Sequence, residues 1–468
     1  MTATYGFDEV NISFLRTNTA AAKDTPLLIT PRWDDSLEFL CKFLEINRQW
    51  VAEQILRYGA ILIRDFGVEN AVDFEKAVSK LQPHLCNAYR GTSPRSLMAG
   101  TEFAFSAADV PVNYPIAQHL EMSFLNAPPR NLYFGCLEAS SASGGETSLC
   151  DFRKVYQDLS PALRTKLRDK KIKYTRMHHK QGERFTYDVG AMLGWPDLFG
   201  TSDTEQVEKV CLEEGAPCPQ WIGSSKDTFF QEWVDEPFQV HPDTSELVWF
   251  NHSQVFHWTT FPAELWYAFL RVRDIHLLFH CILVSIFSFV KYGLLGFKMN
   301  LDTTFGDGTP ISWREMGEIR KVIHQNMVFS RWRKGDILCI DNFSTSHGRQ
   351  PTYDKGRKVC VAWSDPQDKT ISTLKQLVTK QSDPMPNNAS ASTFTTESIP
   401  DLVGLSPDNS PASTLTTTEA NELKVKLLLA SNVGDNLDQD LSKPHGRASC
   451  PDLFESQSVD FWKTAKTE

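Results

Sequence analysis

Gln118-His119-Leu120-Glu121 sets an imidazole and a carboxylate two residues apart. On a strand such residues point to the same face, so His119 and Glu121 are expected to stand side by side. Two histidines and one carboxylate on one face make the donor set of a non-haem iron(II) centre. That set leaves three coordination positions open, two for a chelating co-substrate and one for dioxygen. The third donor must come from elsewhere in the chain. The triplet is weak evidence alone, because chance supplies such triplets among 12 histidines and 58 acidic residues. A second one, His241-Pro242-Asp243, is indeed present. Its central proline suits a turn better than a central strand, so it reads as structural.

The distal segment RKGDILCIDNFSTSHGRQPTYDKGRKVCVAWSDP strengthens the first triplet. It reads as a turn, a buried strand, His347, and a second strand that opens with Arg357. His347 supplies the third donor. Arg357 lies far enough along to reach the neighbouring strand, where a guanidinium can take the distal carboxylate of 2-oxoglutarate in two-pronged fashion. The plainer readings are a surface-loop histidine and a solvated charge at a strand start. A second His-Gly-Arg at His445, in a polar tail, shows how little the tripeptide means by itself. His178 and His179 are neighbours, so at most one could face a metal, and both read as structural.

Taken in order, GTSPRS (91–96), QHLEMSF (118–124), SGGETSLCDFRKVY (143–156), ELVWFN (246–251), FGDGTPI (305–311) and KGDILCIDNFSTSHGRQP (334–351) resemble the taurine dioxygenase-like superfamily of iron(II)/2-oxoglutarate oxygenases, in its clavaminate synthase-like branch. The resemblance covers most of residues 30–366. It implies a double-stranded β-helix, or jelly-roll barrel, and iron ligation by His119, Glu121 and His347. It implies that Thr147 and Arg357 hold 2-oxoglutarate. Thr92, Arg95, Asn251 and Arg349 match active-site lining. The carboxylate at Glu121 argues against halogenases, which lack it. The implied reaction consumes 2-oxoglutarate and dioxygen, releases succinate and carbon dioxide, and hydroxylates an unactivated C–H bond of a small molecule. Arg95 and Arg349 suit an amino-acid or carboxylate derivative, unless they serve as salt bridges in the barrel rim. Alternatives are desaturation, cyclisation or cleavage at the same site, or a catalytically silent barrel serving as an interaction scaffold.

The elements that must position these residues are legible in outline. Residues 1–30 read as an N-terminal extension and 31–366 as the dioxygenase domain. LEFLCKFLEINRQWVAEQILRYG is helical in its periodicity and ends at Gly59; AILI reads as a buried strand, and DFEKAVSKLQPHL as helix again. NLYFGCLEAS, KIKYTRM, ELVWFNHS, DILCIDN and RKVCVAWSD are short strand-like runs separated by turns. The expected class is mainly β with flanking helices (α+β). Residues 367–468, rich in Ser, Thr, Pro and Asn, read as a mostly disordered tail, with a short helix at ELKVKLLLASN.

Composition narrows the function further. The net charge of −10 argues against a nucleic-acid partner. Ten scattered cysteines with no Cys-x-x-Cys pair fit buried thiols in a reducing compartment. No signal-like start is visible, so the expected location is the cytoplasm. One segment departs from the family pattern. Residues 275–297 open with IHLLFHCILVSIFSFV, shorter than the roughly 20 apolar residues a spanning helix needs. A single span there would part Glu121 from His347, so a membrane role is disfavoured. A buried or amphipathic helix, or translated intron, is expected instead.

Overall fold

The computed structural model describes residues 6–15, 25–87, 95–107, 111–141, 144–181, 194–213, 217–364 and 366–367. Thr92 and the tail from 368 onward, including ELKVKLLLASN, lie outside them. Two sheets face each other. The larger runs in the order Val10–Phe14, Leu27–Pro31, Ala60–Ile63, Ile337–Asp341, Asn131–Glu138, Lys358–Ser364 and Leu85–Cys86, with Phe105–Ser106 also paired to Lys358–Ser364. All its pairings are antiparallel except Leu27–Pro31 with Ala60–Ile63. The smaller sheet runs Met327–Phe329, Thr147–Asp151, Thr345–Arg349, Ile116–His119. This is the jelly-roll expected from the many short strands.

The central strands of the larger sheet are buried on both faces, which explains why they are largely apolar instead of alternating. Leu62, Leu132, Phe134, Leu338, Ile340, Val361 and Trp363 point into the barrel and pack with Leu149 of the smaller sheet. Their neighbours Ile61, Tyr133, Cys339, Cys360 and Ala362 point the other way, onto the helices Leu37–Ile46, Arg48–Tyr58 and Ala71–Leu81. The helical stretch expected up to Gly59 is thus two helices, broken at Asn47. Serine and asparagine caps start the first and third helices: Ser36 accepts from the Phe39 N–H and Asn70 from those of Val72 and Asp73. On the far side, Phe152, Leu163, Trp249 and Ile319 belong to a third layer that backs the smaller sheet.

The apolar segment corrects one expectation. Ile275–Ser288 is a helix capped by Asp274, continued by a π-helical turn at Phe289–Leu294. It is neither buried nor amphipathic. One stripe, Leu277, Cys281 and Val284, packs on the helix Thr260–Val272. Another stripe of equally apolar side chains faces outward, with Phe279 63% and Leu294 70% exposed. The helix is apolar around most of its surface; among the described residues, Thr260–Val272 packs on one stripe, and Tyr353 and Tyr114 meet His276 and His280 beside it. By length and composition, Ile275–Leu294 could cross a membrane.

Candidate active site

Register builds the site. Thr345–Arg349 lies between Ile116–His119 and Thr147–Asp151, with His347 opposite both His119 and Leu149, and Arg349 opposite Thr147. Directly opposed side chains share a face, and Leu149 belongs to the barrel interior. His119, Thr147, His347 and Arg349 therefore all point inward. The two imidazole centroids are 4.3 Å apart, and Phe134 from the larger sheet lies 4.9 Å from His347. Gly348 allows this closeness, because a Cβ there would lie 2.6 Å from the Ile116 carbonyl.

Glu121 reaches the same spot by a different route from the one its spacing suggests. The strand stops at His119, and Glu121 stands in the turn that follows, just before Met122 at a φ of +54°. What aims it is Asn342, at the end of the strand Ile337–Asp341. The Glu121 N–H donates to Asn342 Oδ1 (2.7 Å), and Asn342 Nδ2 donates to the carbonyls of Glu121 (3.0 Å) and Pro129 (2.9 Å). Glu121 Oε2 ends 3.8 Å from His119 Nε2 and 3.5 Å from His347 Nε2. Among the described residues these three form the one cluster of potential metal donors, with all ligand atoms within 4.8 Å of one another.

The hydrogen bonding of this trio suits a cation. His119 Nδ1 lies 2.9 Å from the Ala117 carbonyl, which can only accept, so Nδ1 donates there and the ring is oriented with Nε2 toward Glu121. Burial, with His119 alongside, pushes His347 down to about 4 against the pull of Glu121. Burial opposes a charge on Glu121 too. The Arg95 guanidinium and both imidazoles outweigh it and hold the carboxyl well below the usual carboxylate range. Glu121 as a carboxylate and His347 as a neutral imidazole thus stand ready for a cation without losing a proton.

Arg357 precedes the strand Lys358–Ser364 on the parity of the inward-facing Val359, Val361 and Trp363. Its Nε donates to the Gly145 carbonyl at 2.6 Å, two residues before Thr147. Among the described residues it has no ion-pair partner. Glu146, whose charge it feels, is ion-paired to Arg271 (3.1 Å). Burial pushes Arg357 down to about 10. A partly buried cation with a carbonyl for company fits an anionic ligand. Thr147 Oγ1 accepts from Trp332 Nε1 at 3.2 Å.

The remaining sequence candidates are more dispersed. Arg349 donates to the carbonyls of Pro111 and Tyr114 (2.7 and 3.0 Å), which ties down that loop. Arg95 donates to Glu121 Oε2 at 2.9 Å. Asn251 is buried and uses its side chain locally, on Pro237 and Ser253. Its neighbour His252 comes nearer the trio, with its ring 5.7 Å from His119 and Nδ1 2.7 Å from Ser123 Oγ. Sequence reasoning missed His252, Ser123, Asn342 and Trp332; all but Trp332 lie inside or directly beside stretches that carry the family pattern. His241 pairs with the buried Asp341, and Arg130 bridges Asp341 to the exposed Asp243; neither belongs to the donor trio. His178 and His179 hydrogen-bond to Arg176 and Thr228.

The profile of the "Taurine catabolism dioxygenase TauD, TfdA family" matches residues 23–363. The chain belongs to this family. It is an iron(II)- and 2-oxoglutarate-dependent oxygenase that uses dioxygen. Among curated relatives, "Dapdiamide synthesis protein DdaC" of Enterobacter agglomerans is 26% identical over 68% of this chain and 85% of its own length. A clavaminate synthase-like protein of Arabidopsis thaliana is 24% identical over 70% of this chain and 88% of its own length. Among solved structures, PvcB of Pseudomonas aeruginosa aligns with a TM-score of 0.42 at 13% identity, over 78% of this chain and 94% of that one. The donor set of His119, Glu121 and His347 fits the iron that the family requires, and Arg357 fits its carboxylate co-substrate.

Proposed function

We propose that His119, Glu121 and His347 ligate the iron, that Arg357 and Thr147 hold 2-oxoglutarate, and that the oxygenase hydroxylates an unactivated C–H bond of a small amino-acid or carboxylate derivative. The observation that carries the ligand assignment is the convergence of the three donor atoms within 4.8 Å, although one ends a strand, one stands in the turn after it, and the third is on a strand more than 200 residues later. Bound iron supplies the site at which dioxygen is reduced at the expense of 2-oxoglutarate. One oxygen atom leaves in succinate, the other enters the substrate as hydroxyl, and carbon dioxide is released.

The protein's part is to bind, orient and keep dry. Asn342 and the barrel strands hold the three donors in place. Arg357 anchors the far carboxylate of the co-substrate, leaving its keto-acid end for the metal. Phe134, Leu149 and their apolar neighbours line the interior. The relatives' printed names, a dapdiamide synthesis protein and a 3-((Z)-2-isocyanoethenyl)-1H-indole synthase, support action on a small organic molecule. All nine cysteines among the described residues are free thiols, which supports action in a reducing compartment such as the cytoplasm.

Anaerobic titration of the full chain with Fe(II) and then 2-oxoglutarate tests the ligand reading. A weak visible metal-to-ligand charge-transfer band is expected. His119→Ala and His347→Ala should each abolish it, and its survival in either variant would overturn the assignment. Succinate release on addition of candidate amino-acid derivatives tests the substrate class.

A further inference from the structure

Glutamate has one more rotatable bond than aspartate, so a ligating glutamate can turn one oxygen or both toward a metal. Two oxygens would consume a position that 2-oxoglutarate and dioxygen need. In this chain the choice is constrained at both ends of the residue. Asn342 holds the Glu121 backbone through its N–H and its carbonyl. Arg95 holds the head group: its Nη2 donates at 2.9 Å to Oε2, the same oxygen that lies 3.8 and 3.5 Å from the two imidazole nitrogens. Arg95 is itself fixed. Its Nη1 donates to the Ala107 carbonyl at 2.5 Å, its guanidinium lies 5.9 Å from the Trp363 ring, and its side chain is 5% exposed.

We propose that Arg95 is a positioning residue that selects the ligating oxygen of Glu121 and holds it in one-oxygen coordination, so that three positions on the metal stay open. A carboxylate oxygen has two lone-pair directions. With one spent on Arg95, the other remains for the metal. Turning the carboxylate so that both oxygens face the metal would strain the Arg95 bond between two buried side chains, where a lost charge-assisted bond is costly. This inference rests on the ligand assignment above.

The test separates metal affinity from co-substrate affinity. Fe(II) binding is measured anaerobically by calorimetry, and 2-oxoglutarate binding by the charge-transfer band of the metal-loaded protein. Arg95→Gln is expected to bind Fe(II) at least as tightly as the parent, because a repelling cation is gone and a second oxygen is free to ligate. It should bind 2-oxoglutarate on the order of 10-fold more weakly, as when other outer-shell partners of a metal site are lost. Arg95→Lys should recover part of that affinity. Unchanged 2-oxoglutarate affinity in Arg95→Gln would overturn the proposal, as would a parallel loss of both ligands with a lowered melting transition, which would make Arg95 a loop anchor only. A measurement on the parent chain needs no variant: the metal-induced infrared difference spectrum should show the wide carboxylate stretch separation of one-oxygen ligation, and a narrow, two-oxygen separation would refute it. If instead His119→Ala keeps its Fe(II) affinity, the ligand assignment fails, independently of Arg95.

Discussion

Arg357 shows how a single residue is prepared for a ligand. Its side chain is held by one backbone bond, to the Gly145 carbonyl, and the neighbouring acid Glu146 is taken by Arg271. The cation is left to whatever anion enters. Gly145 is essential to this arrangement in two ways. Its φ is +75°, and a Cβ added there would lie 3.0 Å from Arg357 Cδ and 3.3 Å from Ser140 Cβ and Thr352 Cγ2. Gly145→Ala should therefore introduce roughly 1–3 kcal/mol of strain, relieved by shifting the carbonyl and the guanidinium it holds. At about 1.4 kcal/mol per factor of ten, 2-oxoglutarate affinity is expected to fall on the order of 10-fold. Fe(II) affinity should hold, since the three donors are on other residues. Titrating the charge-transfer band in this variant checks both, and undiminished 2-oxoglutarate affinity would show that the Gly145 turn does not set the guanidinium.

At the scale of elements, the site depends on where one strand ends against another. Ile116–His119 stops two residues too early to carry Glu121, and Asn342, just past the strand Ile337–Asp341, makes up the difference with three hydrogen bonds. At about 1 kcal/mol net per bond, and with buried groups left unpaired, Asn342→Ala should destabilise the fold by about 3 kcal/mol. It should also weaken Fe(II) binding, because the turn bearing Glu121 is released. Thermal unfolding and anaerobic calorimetry measure the two effects; a stable variant with full metal affinity would mean that the turn holds itself. This junction also marks how far the site was legible in the sequence. His119 and Glu121 are neighbours along the chain, so their pairing is written in the spacing. His347 and Arg357 are legible as a strand pair with a donor at each end. The Asn342 clamp joins residues 221 positions apart, and nothing local distinguishes that asparagine from any other at a strand end. The same holds for His252, which approaches His119 while its neighbour Asn251 turns away. Strand identities were readable because the central strands of the larger sheet are largely apolar on both faces; which strand lies beside which was not, since pairing is decided by contacts distant along the chain.

Across the whole molecule, the helix Ile275–Ser288 stands apart from this economy. Its sequence invites a buried position, but among the described residues the helix Thr260–Val272 covers a single stripe, and Tyr114 and Tyr353 reach only its two histidines. Burial cannot be inferred from apolar composition when so little of the surface is covered. A single membrane crossing here would part Glu121 from His347, which flank this helix in sequence and lie 3.5 Å apart. The outward stripe Phe279, Ile282, Leu283 and Ile286 repeats at helical spacing, with exposures from 48% to 63%. Exposed apolar area of this kind drives association. The full chain is therefore expected to self-associate on size-exclusion chromatography in the absence of detergent. Replacing those four residues with glutamine should sharpen the elution to one species. The folding free energy should change little, within about 0.5 kcal/mol per substitution, because exposed positions contribute little packing. The charge-transfer band should persist, since the helix supplies none of the three donors, Thr147 or Arg357. A parent chain that runs as one species without detergent, together with a destabilised variant, would show that the stripe is covered in solution by a part of the chain itself.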